Sequence, residues 1–321
     1  MLRKSNQARQ QKMSRPMMDI SRMKRAWKRD WQYWLFLILP ITYLLIFEYY
    51  PMLGVQIAFR DFTAKGGIWN SKWVGFKWFE KFIKSYQFKR VISNTFLLSV
   101  YSQVVGNIIP IVFALIFNCV EKKRFKKVVQ TIVTLPHFIS VVVLVGILMQ
   151  ILNSRVGLYG VIYESITGTY PSDLFADAGA FRHLYVWSGA WSSFGWSSII
   201  YIAALSGVDT SLHEAAQIDG ASRFQRARYI DFQHLKPTII ILAILDVGRI
   251  MSVGFQKAYL MQNSLNVSTS ELISTYTYRI GLQNSNYSYA AAIGLFNAVI
   301  NLVLILTMNR VSRRVSETSL W

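Results

Sequence analysis

The chain has one cysteine, Cys119, so no disulfide can form within it, and that residue shows no metal-ligand spacing. It is also poor in acid: 16 Asp and Glu stand against 35 Lys and Arg, for a formal charge of +19. No GxxxxGK[ST] phosphate cradle occurs, so the chain should not hydrolyse ATP by that route. There is no HExxH pair, and His137, His183, His213 and His234 keep no metal spacing. Each reads as a loop or boundary residue with a polar partner. No GxSxG turn offers a nucleophile. What the chain has in quantity is apolar residues, 53% of 321. A membrane protein joins that share to a large positive charge by separating apolar spans from basic loops. For a nucleic-acid binder the apolar runs are too long and the basic residues too confined to their flanks.

Residues 1–33 are basic and polar, with ten Lys or Arg against Asp19 and Asp30. An apolar run from Trp34 to about Leu53 follows, close to the roughly 20 residues a spanning helix needs. It is too long for a signal-peptide core and lacks a small-x-small cleavage site, so it reads as a retained first span that Pro40 bends. Residues 60–93 carry Trp69, Trp73, Phe76, Trp78, Phe79, Phe82, Tyr86 and Phe88, an aromatic content that fits a helix lying at the membrane–water interface or a surface that docks a partner. Further spans are expected at about Asn94–Phe117, Thr131–Leu152, Leu184–Ser206, Thr238–Gln262 and Tyr287–Asn309, with an irregular stretch before His183. The expected organisation is an all-α polytopic protein: a basic segment 1–33, six helices over 34–309 and a tail 310–321.

Positive charge sets the orientation. The N-terminus, the 118–130 loop, the 207–237 loop and the C-terminus together hold 22 Lys or Arg, whereas the opposite connections hold 11. The first set is therefore expected in the cytoplasm, both termini included. The same charge favours anionic lipid headgroups on that side, by about 1 kcal/mol per nearby Lys or Arg.

Two sets of residues stand at span depth. Asp246 and Arg249 are three positions apart on one helix surface, and ionisable groups there face protein or a water-filled path. They read either as a mutually neutralised pair locking helices together or as the lining of a polar route. Trp187, Trp191 and Trp196 could stack on sugar rings, or could simply mark a membrane boundary.

The least apolar long segment of the second half is Glu214–Pro237, EAAQIDGASRFQRARYIDFQHLKP. Its opening residues favour a helix, Gly220 permits a bend, and a second short helix follows. The pattern Glu214-Ala215-Ala216, then Asp219-Gly220-Ala221, with Pro237 seventeen residues beyond Gly220, resembles the cytoplasmic signature loop of ABC-importer permeases. The resemblance runs from the first span to the C-terminus. Asn94-Thr95, Leu135-Pro136, Gly248-Arg249-Ile250-Met251 and Gly294-Leu295-Phe296-Asn297 are similar to the six-span permeases of polysaccharide and oligosaccharide importers, and to the larger permease subunit of importers for alginate-type acidic oligosaccharides. One departure is plain: that family ends the loop with Leu-Pro, where this chain has Ile230-Asp231-Phe232-Gln233-His234.

The resemblance implies a type I importer permease of MetI-like fold in a bacterial inner membrane. It implies a second homologous permease, two ATPase subunits holding ATP and magnesium, and an extracytoplasmic substrate-binding protein. Glu214, Ala215, Ala216, Asp219, Gly220 and Ala221 would form the coupling helix that seats on an ATPase, and this chain would hold no cofactor and catalyse nothing. Pro237 would suit the start of span five. The rivals are a membrane transferase acting on a lipid-linked sugar and a secondary transporter. The first should show acids or histidines clustered at a membrane boundary, the second internal repeats, and the sequence shows neither. Reporter fusions after Ser165 and after Ser222 should report opposite sides of the membrane, the second inside. A common side would overturn the assignment of the fourth span.

Overall fold

The computed structural model describes residues 29–248, 250–251 and 254–315. The chain divides into two compact units, Met1–Gln56 and Ile57–Trp321. In the first unit, α1 (Trp31–Leu44) continues through a widened π turn, Leu45–Tyr49, and a last turn, Tyr50–Met52. Pro40 lies inside α1, where its ring removes an N–H from the ladder just ahead of the widened turn. The stretch Trp31–Phe59 is long and apolar enough to cross a membrane.

The second unit opens with two two-residue strands, β1 (Arg60–Asp61) and β2 (Lys72–Trp73), paired antiparallel with Arg60 opposite Trp73. The helices α2 (Lys77–Ile83) and α3 (Tyr86–Asn118) follow, then α4 (Lys123–Thr134), α5 (Val141–Ile151) and α6 (Leu158–Thr167), the last within the stretch expected to be irregular. Next come α7 (Ala180–Leu205), α8 (Thr210–Ile218), α9 (Arg223–Arg226), α10 (Phe232–Val247), α11 (Phe255–Met261), α12 (Ile273–Tyr278) and α13 (Tyr287–Val315). The long helices α3 and α7 pack along one another as the central pair, and α13 covers α2, α10 and α12. Where α4 reaches α7, the residue is Gly195: a Cβ there would lie 2.0 Å from the Val133 carbonyl oxygen, so only glycine lets the two backbones meet.

Two expected spans are not single helices. The Thr131–Leu152 window is bent by 97° between α4 and α5. Pro136 falls in a 3-10 turn, Leu135–Phe138, and Ser140 restarts the helix by accepting a hydrogen bond from the Val143 N–H at 3.3 Å. The Thr238–Gln262 window breaks between α10 and α11. Pro237 does not open α10 as expected. The helix begins five residues earlier at Phe232, and Pro237 sits inside it, denying the Gln233 carbonyl its usual donor. Three helical stretches are long and apolar enough to cross a bilayer, four if the bent pair counts as one. The second of the three, α3, begins eight residues before the expected Asn94.

The break after α10 is held from α13. The Met251 N–H donates to Asn301 Oδ1 at 3.1 Å, and Asn297 Nδ2 donates to the Met251 carbonyl at 3.2 Å. These asparagines lie four residues apart, on one helix face, and replace the partners that the broken helix lost.

The aromatic connection also departs from expectation. Trp78 and Phe82 are core, packed with Tyr276, Tyr289 and Ile293, and Trp78 Nε1 donates to the Arg60 carbonyl at 3.0 Å. Phe82 meets the rings of Phe88 and Phe296 edge-on at 5.1 and 5.5 Å. Burying each such side chain contributes about 2–3 kcal/mol. Trp69, Trp73, Phe76 and Tyr86 stay exposed and keep the character of an interfacial surface.

A polar knot ties the 263–286 connection to the central helices. Glu271 is 1% exposed, and both Arg90 of α3 and Arg279 bond its carboxylate. Asn94 donates to the carbonyls of Ser268 at 2.9 Å and Glu271 at 3.2 Å while accepting from Arg182 of α7 at 2.9 Å. The Ile273 N–H donates to Thr95 Oγ1 at 2.9 Å. A buried carboxylate between two guanidinium groups makes its burial tolerable.

Within this unit the connections gather at two ends. Phe62 N–H donates to Ser288 Oγ, Asn263 Nδ2 to the Phe175 carbonyl and Arg90 to Glu271, which joins 60–93, 153–183 and 263–286. At the other end Arg223 of the 207–237 loop pairs with Glu121 at 2.8 Å. These five connections fall into the same two groups as in the charge count. Asn301→Leu strips the Met251 N–H of its acceptor and should lower unfolding stability in detergent by about 1–3 kcal/mol, read by denaturant titration.

Candidate functional site

The 207–237 loop folds as two short helices with a complete set of caps. Asp209 Oδ1 accepts from the Ser211 N–H at 2.9 Å and begins α8. That bond, with a further one from the Ser211 hydroxyl, holds the Asp209 carboxyl below its ordinary pKa. The C-terminus of α8 is closed by Gly220 at φ +78°, as a glycine-permitted bend requires. Its N–H donates to the Gln217 carbonyl at 3.1 Å, and the Ala221 N–H donates to the Ala216 carbonyl at 2.8 Å. This is the Schellman closure, and a β-carbon would strain it through φ alone, since open space surrounds the site. Ser222 then starts α9 with a reciprocal capping box to Gln225.

The caps fix which face of α8 looks outward. His213 and Ala216 are half-buried, turned toward the protein. Leu212, Ala215 and Ile218, spaced by three, share an exposed face, with Ile218 86% exposed and Leu212 53%. Glu214 is exposed beside them, and Asp219, Gly220 and Ala221 follow at the tip, the first two exposed. A polar loop that presents an apolar stripe on a rigid helix is suited to docking a groove.

A second site lies among α3, α7 and α10, where a cavity of about 510 Å³ is lined by Ser102, Gln103 and Asn107, by Ser193, Trp196, Ser197 and Tyr201, and by Asp246. Asn107 Nδ2 donates to Asp246 Oδ2 at 3.0 Å, and Gln103 Nε2 donates to the Asp246 backbone carbonyl at 2.6 Å. Asp246 therefore faces a polar cavity, held by amides; Arg249 lies outside the described residues. Trp196 lines this cavity and stacks flat on His137, with centroids 4.6 Å apart and 4° between planes. Trp187 and Trp191 line a separate hollow of about 330 Å³ beside His183 and Leu148. There Trp187 Nε1 donates to Tyr101 Oη at 2.9 Å, and Tyr101 Oη sits 3.0 Å from His183 Nδ1.

The structure thus joins Asp246 to Trp196 and sets Trp187 and Trp191 apart. The sequence reading missed Asn107 and Gln103, though two amides four residues apart inside an apolar span are a visible signal. It missed Glu271 as well, whose partner Arg90 lies 181 residues away.

The family described as the binding-protein-dependent transport system inner membrane component matches residues 106–317, which take in the whole 207–237 loop and the cavity lining from Asn107 to Asp246. The chain belongs to that family. It is 38% identical over 296 residues to "Protein LplB" of Bacillus subtilis (strain 168), covering 92% of this chain and 93% of that protein. A solved structure titled as a bacterial ABC transporter involved in the import of the acidic polysaccharide alginate is similar at 38% identity and TM-score 0.84, covering 92% of this chain and 99% of that one. Another, of the bacterial alginate ABC transporter in complex with alginate pentasaccharide-bound periplasmic protein, is similar at 37% identity and TM-score 0.85, covering 93% and 100%. The fold is therefore that of an ABC-importer permease, mostly helical, with β1–β2 the one strand pair among the described residues.

Gly220→Val should cost about 1–3 kcal/mol locally. Hydrogen exchange should show it as faster exchange at the Ala221 amide, with Gly220→Asn much milder. Because the Asp209 pKa is lower folded than unfolded, its cap is fully present above the ordinary carboxylate range and fades as pH falls through the lowered value.

Proposed function

We propose that this chain is the permease subunit of an ATP-driven importer for an oligosaccharide of the acidic, alginate type. It would form half of a translocation path in a bacterial inner membrane, with both termini cytoplasmic and six spans. The observation that carries the reading is α8: a capped helix at the molecular end where the basic loops gather, offering Leu212, Ala215, Ile218 and Glu214 outward. The alginate-importing structures it resembles support the substrate class and delivery by an extracytoplasmic binding protein.

Two ATPase subunits would bind ATP and magnesium and receive α8 from this chain and its counterpart from a second, homologous permease. No reaction is assigned to this chain. The apolar stripe would enter an ATPase cleft, and Glu214, in the middle of α8, would offer a charge to a donor there. Closure of the ATPases would move α8 and, through the roots of the spans, alternate the opening of the path. Asp246, with Arg249, would belong to that path; Asn107, Gln103 and Trp196 supply hydrogen bonds and an aromatic face of the kind sugars use. Trp187 and Trp191 would extend it as a second aromatic surface. A transferase acting on a lipid-linked sugar gains no support from these groups, because one carboxylate held by amides is not an acid–base pair.

The test is reconstitution with the partner permease, ATPases and binding protein. Glu214→Lys should insert and pair normally but lose most bound ATPase subunit on purification, with substrate-stimulated hydrolysis and uptake reduced by at least tenfold. Parental assembly and uptake would show that this loop is not the docking element.

A further inference from the structure

The segment that departs from the family's Leu-Pro ending supplies a buried carboxylate. Asp231 closes a π turn, Ala227–Asp231, at the root of α10 and is 2% exposed. A lone carboxylate is costly to bury unless a cation answers it. Three cations act on the same thiol, that of Cys119, as Asp231 does, and each also bonds an oxygen elsewhere. Arg223 pairs with Glu121 at 2.8 Å, Arg226 donates to Gln217 Oε1 at 3.4 Å and Lys126 donates to the Asn118 carbonyl at 3.3 Å. The Cys119 thiol pKa is raised, first by burial and next by the charge of Asp231. What meets the carboxylate is His213, with Nε2 3.0 Å from Asp231 Oδ1. The two groups meet without the alignment of a hydrogen bond, and Oδ1 has no hydrogen-bond donor.

His213 immediately precedes Glu214 and lies on the inward face of α8, across the helix from Leu212, Ala215 and Ile218. The pair therefore spans the whole bend at Gly220 and fastens the exposed helix to the first residue ahead of α10. Fifteen residues further along that helix, about 22 Å at helical rise, Asp246 lines the cavity. We propose that His213 and Asp231 are positioning residues for coupling: their contact is the link that carries displacement of α8 into α10. This rests on the reading of α8 as the element that meets an ATPase.

The link accounts for a loop that would otherwise yield. Gly220 gives α8 a bend without side-chain contacts, so a push on α8 would be absorbed at the bend unless a second attachment bypassed it. The long Arg226–Gln217 hydrogen bond at 3.4 Å crosses the bend only as far as α9, and the His213–Asp231 contact is the attachment that reaches the root of α10. An apolar residue in place of Asp231 would leave His213 without its carboxylate partner.

The assembled importer in vesicles tests the proposal. His213→Ala and Asp231→Leu should each retain ATPase subunits and continue to hydrolyse ATP, while sugar delivered per ATP falls at least fivefold. The double variant should be no worse than either single one, as expected for one shared interaction. His213→Lys, which restores a cation opposite Asp231, should recover at least half of the delivery ratio. Parental coupling in His213→Ala, multiplying losses in the double variant, or no recovery with His213→Lys would overturn the link. His213→Ala removes only a half-buried side chain, so the test survives even if Asp231→Leu fails to fold. Glu214→Lys, run beside these, separates the two readings. If it loses ATPase subunits while the His213 and Asp231 variants couple normally, the link alone is wrong; if it assembles and transports as the parent does, the docking role of α8 is wrong.

Discussion

A peptide N–H or C=O in hydrocarbon has no water to turn to, and this requirement governs the architecture. Where the ladder is unbroken, as in α7, the helix meets it internally. Where it is interrupted, another side chain must stand in. Asn297 and Asn301 do so for Met251, and Ser140 does so at the start of α5. Both interruptions lie against other helices: Gly195 of α7 touches the Val133 carbonyl just before the first, and α13 lines the second. Irregular backbone at such depth is tolerated only where protein or a polar cavity surrounds it, and it marks where a permease can flex without exposing bare amides to lipid.

The two ends of the second unit are stabilised differently. At the end holding 60–93 and 263–286, a ring-rich core and the buried Glu271 knot fix the connections across large sequence separations. At the opposite end, α8 and α9 keep their shape through caps of their own, and they touch the remainder through Arg223–Glu121 and His213–Asp231. A capped helix keeps its shape while its neighbours shift, which is what a transmitting element requires. A rigid end and an articulated end are thus built from the same chain by different means.

How much of this was legible follows from the range of each interaction. The loop was readable because its determinants are local: the bend at Gly220 is set by residues within five positions of it, and glycine permits the positive φ that it adopts. The long helices α3 and α13 were readable because an apolar run longer than 20 residues has few alternatives. The breaks in the third and fifth windows were not, since hydropathy averages over Pro136 and cannot see Asn301 waiting on another helix. Trp78 and Phe82 read as interfacial for the same reason: an aromatic residue at a boundary looks alike whether lipid or Tyr289 covers it. Pro237 was placed at a helix start because the local rule favours it there, and the tertiary packing of Leu235 extended the helix past that point.

The aromatic core bears on how the protein is made. Trp78 and Phe82 complete their packing only when Tyr289, Ile293 and Phe296 arrive, and Phe62 waits for a hydroxyl 226 residues downstream. At translation speeds of about 5–20 residues per second, that interval is on the order of 10–45 s. Throughout it, a cluster of large rings stands without its final cover. The nascent chain is therefore most vulnerable to aggregation and proteolysis between the insertion of α3 and the emergence of α13, and the final helix is what ends that exposure.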